Sequence, residues 1–273
     1  MPELPEVETV VRALSPLIEG RTLRHIKRAD APDGPKYLGL SRAAGQRIKT
    51  LTRRGKFILM HLSGGDTGII HLGMTGTLSP SKPADHIRVI MSFSDGDPGA
   101  IYFRDPRRFG RFIVTEGDDY SMLPTLAAMG PEPFDPTFTP ASFAAACGQR
   151  TTGIKALLLS QRVVAGLGNI YVDEALWQAR VHPDSPSRAI GKARLRALHK
   201  AIIEILTRAI AARGTTLRDY RQVDGGSGGF GASLVVYGHK GGYCPRCDGP
   251  FTTASIAQRT STWCERCQIR RGL

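Results

Sequence analysis

Apolar and polar positions follow one period at the start of the chain, a second through its first half and the first again beyond the middle. In the opening "MPELPEVETVVRALSPLIEG", Val7, Val10, Val11 and Leu14 stand at i, i+3, i+4 and i+7, the spacing of an amphipathic helix. Pro5 suits a first helical turn, and Pro16 is expected to end or kink the helix because it has no N–H to donate. From about residue 21 to 116 the period shortens to two. Ile87, Val89, Met91 and Phe93 alternate as on a strand with one buried face. "KFILMHL" and "TGIIHLGM" are more continuously apolar, as in the middle of a sandwich, and turns such as "SGGD" and "SDGD" separate the segments. "MGPEPFDPTFTP", residues 129–140, has four prolines and little period, and reads as a linker. Helical spacing returns over about 141–147, 154–161, 170–179 and 188–212, where Leu195, Leu198, Ile202, Ile205, Leu206 and Ala209 share one side.

No apolar run approaches the ~18–20 residues of a membrane span, and no basic stretch leads into an apolar one at the N-terminus, so a cytosolic protein is expected. Lys and Arg outnumber Asp and Glu by 37 to 24, a net charge of +13 that favours a polyanionic partner, of which nucleic acid is the commonest. Five cysteines are split between a lone Cys147 and four within the last thirty residues, which in a cytosolic chain points to metal rather than disulfides.

Those four form the most specific local motif. Cys244 and Cys247 in "CPRC" are followed, after sixteen residues, by Cys264 and Cys267 in "CERC", the ligand set of one structural zinc ion. The segment between them has the length of a β-hairpin with Arg259 near its tip, and an arginine there is a good phosphate or groove probe. In "VVAGLGNIYVDEAL", Gly166 and Gly168 permit a tight turn and Asn169 is a natural N-cap, so the helix that follows offers free backbone N–H groups to a phosphate. "RIKTLTRRGK" holds Arg47, Lys49, Arg53, Arg54 and Lys56 without an acid. "RDPRRFGR" sets Phe109 beside Arg108 in a Pro/Gly loop, where an aromatic can wedge between bases, and Met74 sits between glycines in "HLGMTG".

The acidic start has its own chemistry. An amine that attacks a sugar C1′ forms a Schiff base, which activates the sugar for elimination. Lysine at pKa ~10.4 is neutral in about 0.04% of molecules at pH 7, whereas a generic α-amine near ~8 is neutral in roughly 10%. Loss of Met1 would expose Pro2 as such an amine, ahead of the positive end of a helix and bracketed by Glu3 and Glu6 for proton transfer. The plainer alternative is a frayed start with helix-capping acids.

"PELPEVETV", "HLGMTG", "DPRRFG", "GLGNIYVDEAL", "VYGHKGGYCPRC" and "QRTSTWCERCQ" occur in order. Together they resemble the bacterial formamidopyrimidine-DNA glycosylases over essentially the whole chain. The resemblance implies an α+β fold: an N-terminal antiparallel β-sandwich with flanking helices over 1–130, a linker at 131–140, a helix–two-turn–helix domain over 141–232, and a zinc-finger β-hairpin over 233–273. It implies excision of 8-oxoguanine and formamidopyrimidines from duplex DNA, then β,δ-elimination, by a monomer at the bacterial nucleoid. Pro2 matches the nucleophile and Glu3 the general acid, with Glu6 in support; Lys56 matches the lysine of β-elimination. Arg259 matches a residue credited with δ-elimination, although a guanidinium of pKa above ~12 is better suited to clamping phosphate. Lys155 and Asn169 match phosphate contacts, His86 a DNA contact, and Met74, Arg108 and Phe109 the residues that fill the space left by a flipped base. Arg150, just before "TTG", stands near a basic position of the family, and Arg218 stands where lysine is common. The five glycines between Gly225 and Gly231 match a lid over the lesion, and Cys147 matches no family role. Two other readings stay open: an endonuclease VIII-like glycosylase for oxidised pyrimidines, and a zinc-ribbon nucleic-acid binder without catalysis.

Overall fold

The computed structural model describes residues 1–31, 34–217 and 220–272, so Arg218 lies outside the described residues. The chain forms two compact units, Met1–Ala127 with Ala212–Gly231, and Ala128–Ala211 with Ala232–Leu273. Among the described residues no helix is long and apolar enough to cross a membrane.

In the first unit, helix α1 (Leu4–Ile18) precedes strands β1 (Leu23–Arg28), β2 (Ile48–Arg54), β3 (Phe57–Leu62), β4 (Asp66–His71), β5 (Thr77–Ser79), β6 (Ile87–Phe93), β7 (Ala100–Arg104) and β8 (Arg111–Glu116), and the short helix α2 (Pro124–Ala127). The strands make two antiparallel sheets, ordered β1-β6-β7-β5 and β2-β3-β4-β8. Val7, Val10, Leu14 and Ile18 of α1 join Leu23, Ile58, Met60, Phe103 and Phe112 in one apolar core. α1 runs through Pro16 to Ile18, against the expected stop. In the last turn little helix remains to be disrupted, so the missing N–H costs little there.

The alternation expected of β6 is broken at one residue. Arg88 is buried, because a register shift between Ile87 and Val89 turns its side chain inward. There it pairs with Asp30 at 2.7 Å and donates to the Asp105 carbonyl at 2.8 Å.

The second unit holds α3 (Pro140–Gly148), α4 (Ile154–Leu159), α5 (Asn169–Gln178), α6 (Lys192–Ala211) and a hairpin of β9 (Thr252–Ile256) and β10 (Arg259–Trp263). Thr139 caps α3 by accepting from the Ser142 N–H at 3.0 Å. α6 packs its apolar side on α3 and α5.

Three segments each join one of the two units through specific contacts. Residues 129–140 are a packed part of the second unit: Gly130 N–H donates to the Gln161 carbonyl at 2.8 Å, and His199 Nε2–H donates to the Phe138 carbonyl at 2.8 Å. Residues 212–231 belong with the first unit, because Thr215 N–H donates to Glu6 at 2.7 Å and Tyr220 and Val223 enter the α1 core. The finger groups with the helices. The Glu174 carboxylate of α5 accepts from the N–H groups of Val235, Val236 and Tyr237 at 2.9–3.1 Å, and Gln268 donates to the Val181 carbonyl at 2.9 Å.

Candidate active site and nucleic-acid interface

Pro2 and Glu3 are buried at the head of α1, where Glu3 is the N-cap. Glu6 fixes this start from both sides. Its Oε2 accepts from the Glu3 N–H at 2.7 Å, and its Oε1 accepts from the Thr215 N–H at 2.7 Å. The glycine loop folds back on the same segment: Phe230 N–H donates to the Gly214 carbonyl at 3.0 Å, and Gly229 N–H to the Ala212 carbonyl at 2.9 Å. A Cβ on Gly228 would lie 2.3 Å from the Gly214 carbonyl oxygen, so this approach requires glycine.

Lys56 is buried in the two-residue β2–β3 turn, where Gly55 takes φ +56°. Arg53 ties that turn to α1, pairing with Glu8 at 2.9 Å and donating to the Gly55 carbonyl at 3.1 Å. Across the sheet, Phe57 pairs with His71, whose ring lies 4.8 Å away. Burial, then the charges of Lys56 and Arg111, push the His71 imidazole down to about 4, so it is neutral at pH 7. Its Nδ1 accepts from the Gly73 N–H at 3.2 Å at the entry to the Met74 loop.

The segments that carry Met74, His86, Arg108 and Phe109 are tied to Asp105, whose side chain is fully buried. Asp105 accepts from Thr75 Oγ1 at 2.6 Å and from the Gly110 N–H at 2.7 Å, joining the two loops. Its own N–H donates to the His86 carbonyl at 3.0 Å. A Cβ on Gly73 would meet the Gly110 nitrogen at 2.5 Å, so the loops touch backbone to backbone. Arg108 takes φ +57° and its guanidinium has no protein partner among the described residues. Phe109 is 48% exposed, with Arg107 over its ring at 4.9 Å. An exposed phenyl and an unpaired guanidinium on a buried polar anchor can replace a flipped base's stacking and hydrogen bonds.

In the second unit, Lys155 is fully buried. Its three donors reach Asp173 Oδ1 at 2.6 Å, Ser261 Oγ at 2.6 Å and the Thr260 carbonyl at 3.3 Å. Lys155 thus braces α4, α5 and the finger hairpin. Asn169 is the first residue of α5, with Gly168 at the N-cap, and its amide donates to the same Thr260 carbonyl at 2.9 Å. It does not cap its own helix: it stands one residue inside the N-cap, and its Oδ1 is buried without a partner among the described residues. Arg259, adjacent to Thr260, is exposed beside a two-residue turn at Ala257 and Gln258, both with positive φ. Arg150 is exposed, and its guanidinium has no protein partner among the described residues. Cys147 is buried, which pushes its thiol up to about 12 and leaves it inert.

The sulfurs of Cys244, Cys247, Cys264 and Cys267 lie within 4.8 Å of one another, with two pairs at 3.9 and 3.5 Å. A tetrahedron with ~2.3 Å zinc–sulfur arms has edges of about 3.8 Å, so this donor set fits zinc.

The pattern of the formamidopyrimidine-DNA glycosylase N-terminal domain matches residues 1–112, that of its H2TH domain 129–221, and that of the zinc finger found in FPG and IleRS 242–269. The chain belongs to the formamidopyrimidine-DNA glycosylase family. It is 42% identical to the Deinococcus radiodurans enzyme, covering 99% of this chain and 98% of that one, and 42% identical to a Thermus thermophilus enzyme, covering 98% of each. The crystal structure of a T. thermophilus MutM (FPG) protein superposes with a TM-score of 0.92 at 41% identity, covering 99% of this chain and 100% of that one. A Lactococcus lactis FPG mutant bound to Fapy-dG-containing DNA gives 0.87 at 33% identity, covering 98% and 100%.

Sequence reasoning missed His71, Arg88 and Asp105 as parts of this glycosylase-family site. His71 had a local signal, standing in the same "HLGMTG" as Met74. Asp105 had one too, opening the "DPRRFG" that carries Phe109, whereas Arg88, an arginine in a strand, reads as an ordinary surface residue.

Proposed function

We propose that this chain excises oxidised purines, 8-oxoguanine and formamidopyrimidines, from duplex DNA with the Pro2 amine as nucleophile, acting as a monomer at the DNA of a bacterial cytosol. The observation that carries the reading is the pinned start of α1, where Glu6 holds Pro2 and Glu3 in place through two 2.7 Å bonds. Met1 is 47% exposed and open to removal, which frees the proline nitrogen. That nitrogen attacks C1′ while the C1′–N9 bond breaks and Glu3 passes a proton to the departing base; opening of the C1′–O4′ bond, with a proton to O4′, then leaves an iminium on Pro2. The resulting iminium acidifies C2′–H. Lys56 takes or relays that proton as the C3′–O bond breaks, and a second elimination breaks C5′–O. Arg108, Met74 and Phe109 occupy the emptied duplex, while His86, Arg150, Asn169 and Arg259 face the backbone. The excess of positive charge makes binding fall steeply with salt.

Borohydride trapping on duplex DNA with one 8-oxoguanine opposite cytosine tests this. A covalent adduct from the mature protein, lost or weakened in Pro2→Gly, is expected. Absence of any adduct from zinc-loaded protein lacking Met1 would overturn the reading for this lesion.

A further inference from the structure

The four zinc-binding thiolates are not equivalent. Cys244 is fully buried and its sulfur accepts the Trp177 indole N–H at 3.4 Å. Above that indole, 3.7 Å from its ring, lies the guanidinium of Arg246, which belongs to the same knuckle as Cys244. Arg246 also donates to the Trp177 carbonyl at 2.6 Å and the Gln178 carbonyl at 3.2 Å, closing the C-terminal end of α5. Knuckle and helix therefore grip each other twice: indole to sulfur, and guanidinium to ring and carbonyls. Cys267, by contrast, is half-buried and lines an open cavity with Arg180, His182, Arg194 and Arg271.

We propose that Trp177 is a positioning residue for the zinc centre, an indole donor to the Cys244 thiolate that slows metal loss and couples metal loading to the seating of α5. Three physical effects combine. A hydrogen bond to a metal-bound thiolate disperses its charge and holds its lone pairs in the ligating orientation. A cation on the indole face draws density from the ring and strengthens the N–H as a donor. The indole also covers the sulfur from water, so proton attack on that zinc–sulfur bond is hindered. Trp263, beside Cys264 in the other knuckle, is the internal contrast. Its indole N–H is buried without a partner among the described residues, so it gives no sulfur this help.

The test uses the full chain loaded with zinc and a chromophoric chelator that reports released metal. Trp177→Phe keeps the ring and the Arg246 stack but removes the N–H. Zinc release is expected to quicken at least about tenfold, the lower range for loss of a partner to a metal ligand. Trp263→Phe should release zinc at the wild-type rate. Arg246→Gln should quicken release about threefold. Wild-type release from Trp177→Phe, or equal acceleration by Trp263→Phe, overturns the proposal, and an unchanged Arg246→Gln removes Arg246 from it. A second readout uses the unmodified sequence and decides even where a variant fails to fold. With cadmium-113 in place of zinc, the Trp177 indole proton should show scalar coupling to the metal through the hydrogen bond. A resolved indole resonance without that coupling overturns the assignment.

Discussion

Lys155→Met removes an ammonium while keeping an unbranched side chain of similar length. The wild-type group spends all three donors on Asp173, Ser261 and the Thr260 carbonyl, and is fully buried. Removing one partner of a buried pair costs ~3–5 kcal/mol, a large part of the 5–15 kcal/mol that holds a typical domain folded. The variant has one escape, a proton on Asp173. Burial already pushes that carboxyl up to about 7, against the pull of Lys155 at 2.6 Å. Without Lys155 it rises further. A carboxyl whose folded pKa exceeds its unfolded value of ~3.9 binds protons preferentially in the folded state, so stability falls as pH rises, by up to ~1.4 kcal/mol per unit. In the wild type this loss is complete just above pH 7, whereas in the variant it continues. Between pH 7 and 8.5 the deficit should therefore deepen by up to ~2 kcal/mol.

Urea unfolding of zinc-loaded protein, followed by the fluorescence of Trp177 and Trp263, reads this directly, since both tryptophans lie in the second unit. Lys155→Met/Asp173→Asn removes both charges and should recover more than half of the loss and abolish its pH slope. A single variant within ~1 kcal/mol of wild type at pH 8.5, or a double variant no better than the single, would refute the brace. DNA binding gives an independent check. A lysine that neutralised a phosphate would take about one unit from the salt slope when replaced, whereas Lys155→Met should leave the slope unchanged.

Glu6→Gln must turn an amide NH2 toward one of two buried backbone donors, Glu3 N–H or Thr215 N–H, and should cost ~1–3 kcal/mol. The same change should lower the single-turnover excision rate more than DNA affinity, because it loosens Pro2 and Glu3; an equal loss in both would place Glu6 in binding alone. His71 should remain neutral in an NMR titration until pH approaches about 4, well below the usual imidazole range. Its folded pKa is depressed, so its contribution to stability is full above pH ~6.5 and is lost as pH falls toward 4; a midpoint near 6.5 in the folded protein would contradict the burial argument.

What could be read from the chain beforehand was local. α1, the apolar strands and the two knuckles each carry a period or spacing within a few residues, and each formed near where that pattern put it. What escaped depends on partners far apart in sequence. Glu6 finds Thr215 across 209 residues and Lys155 finds Ser261 across 106, and no window of hydrophobic spacing reports either. The same holds for which unit a segment joins. Nothing in the glycine-rich stretch itself says that Gly228 is a site of backbone contact with Gly214 or that the segment belongs with α1. Buried polar groups were the hardest of all. Arg88, Asp105 and Lys155 look like surface residues because composition cannot distinguish a charge in water from one held by several fixed partners. Desolvating such a charge is costly unless its hydrogen bonds are met, so each of these three marks a place where distant segments must meet in one arrangement. Two of those places, the Asp105 hub and the Lys155 brace, support the loops that carry Phe109 and Arg259. Charge that looks like surface charge in the sequence is, in the fold, what aims the residues proposed to touch DNA.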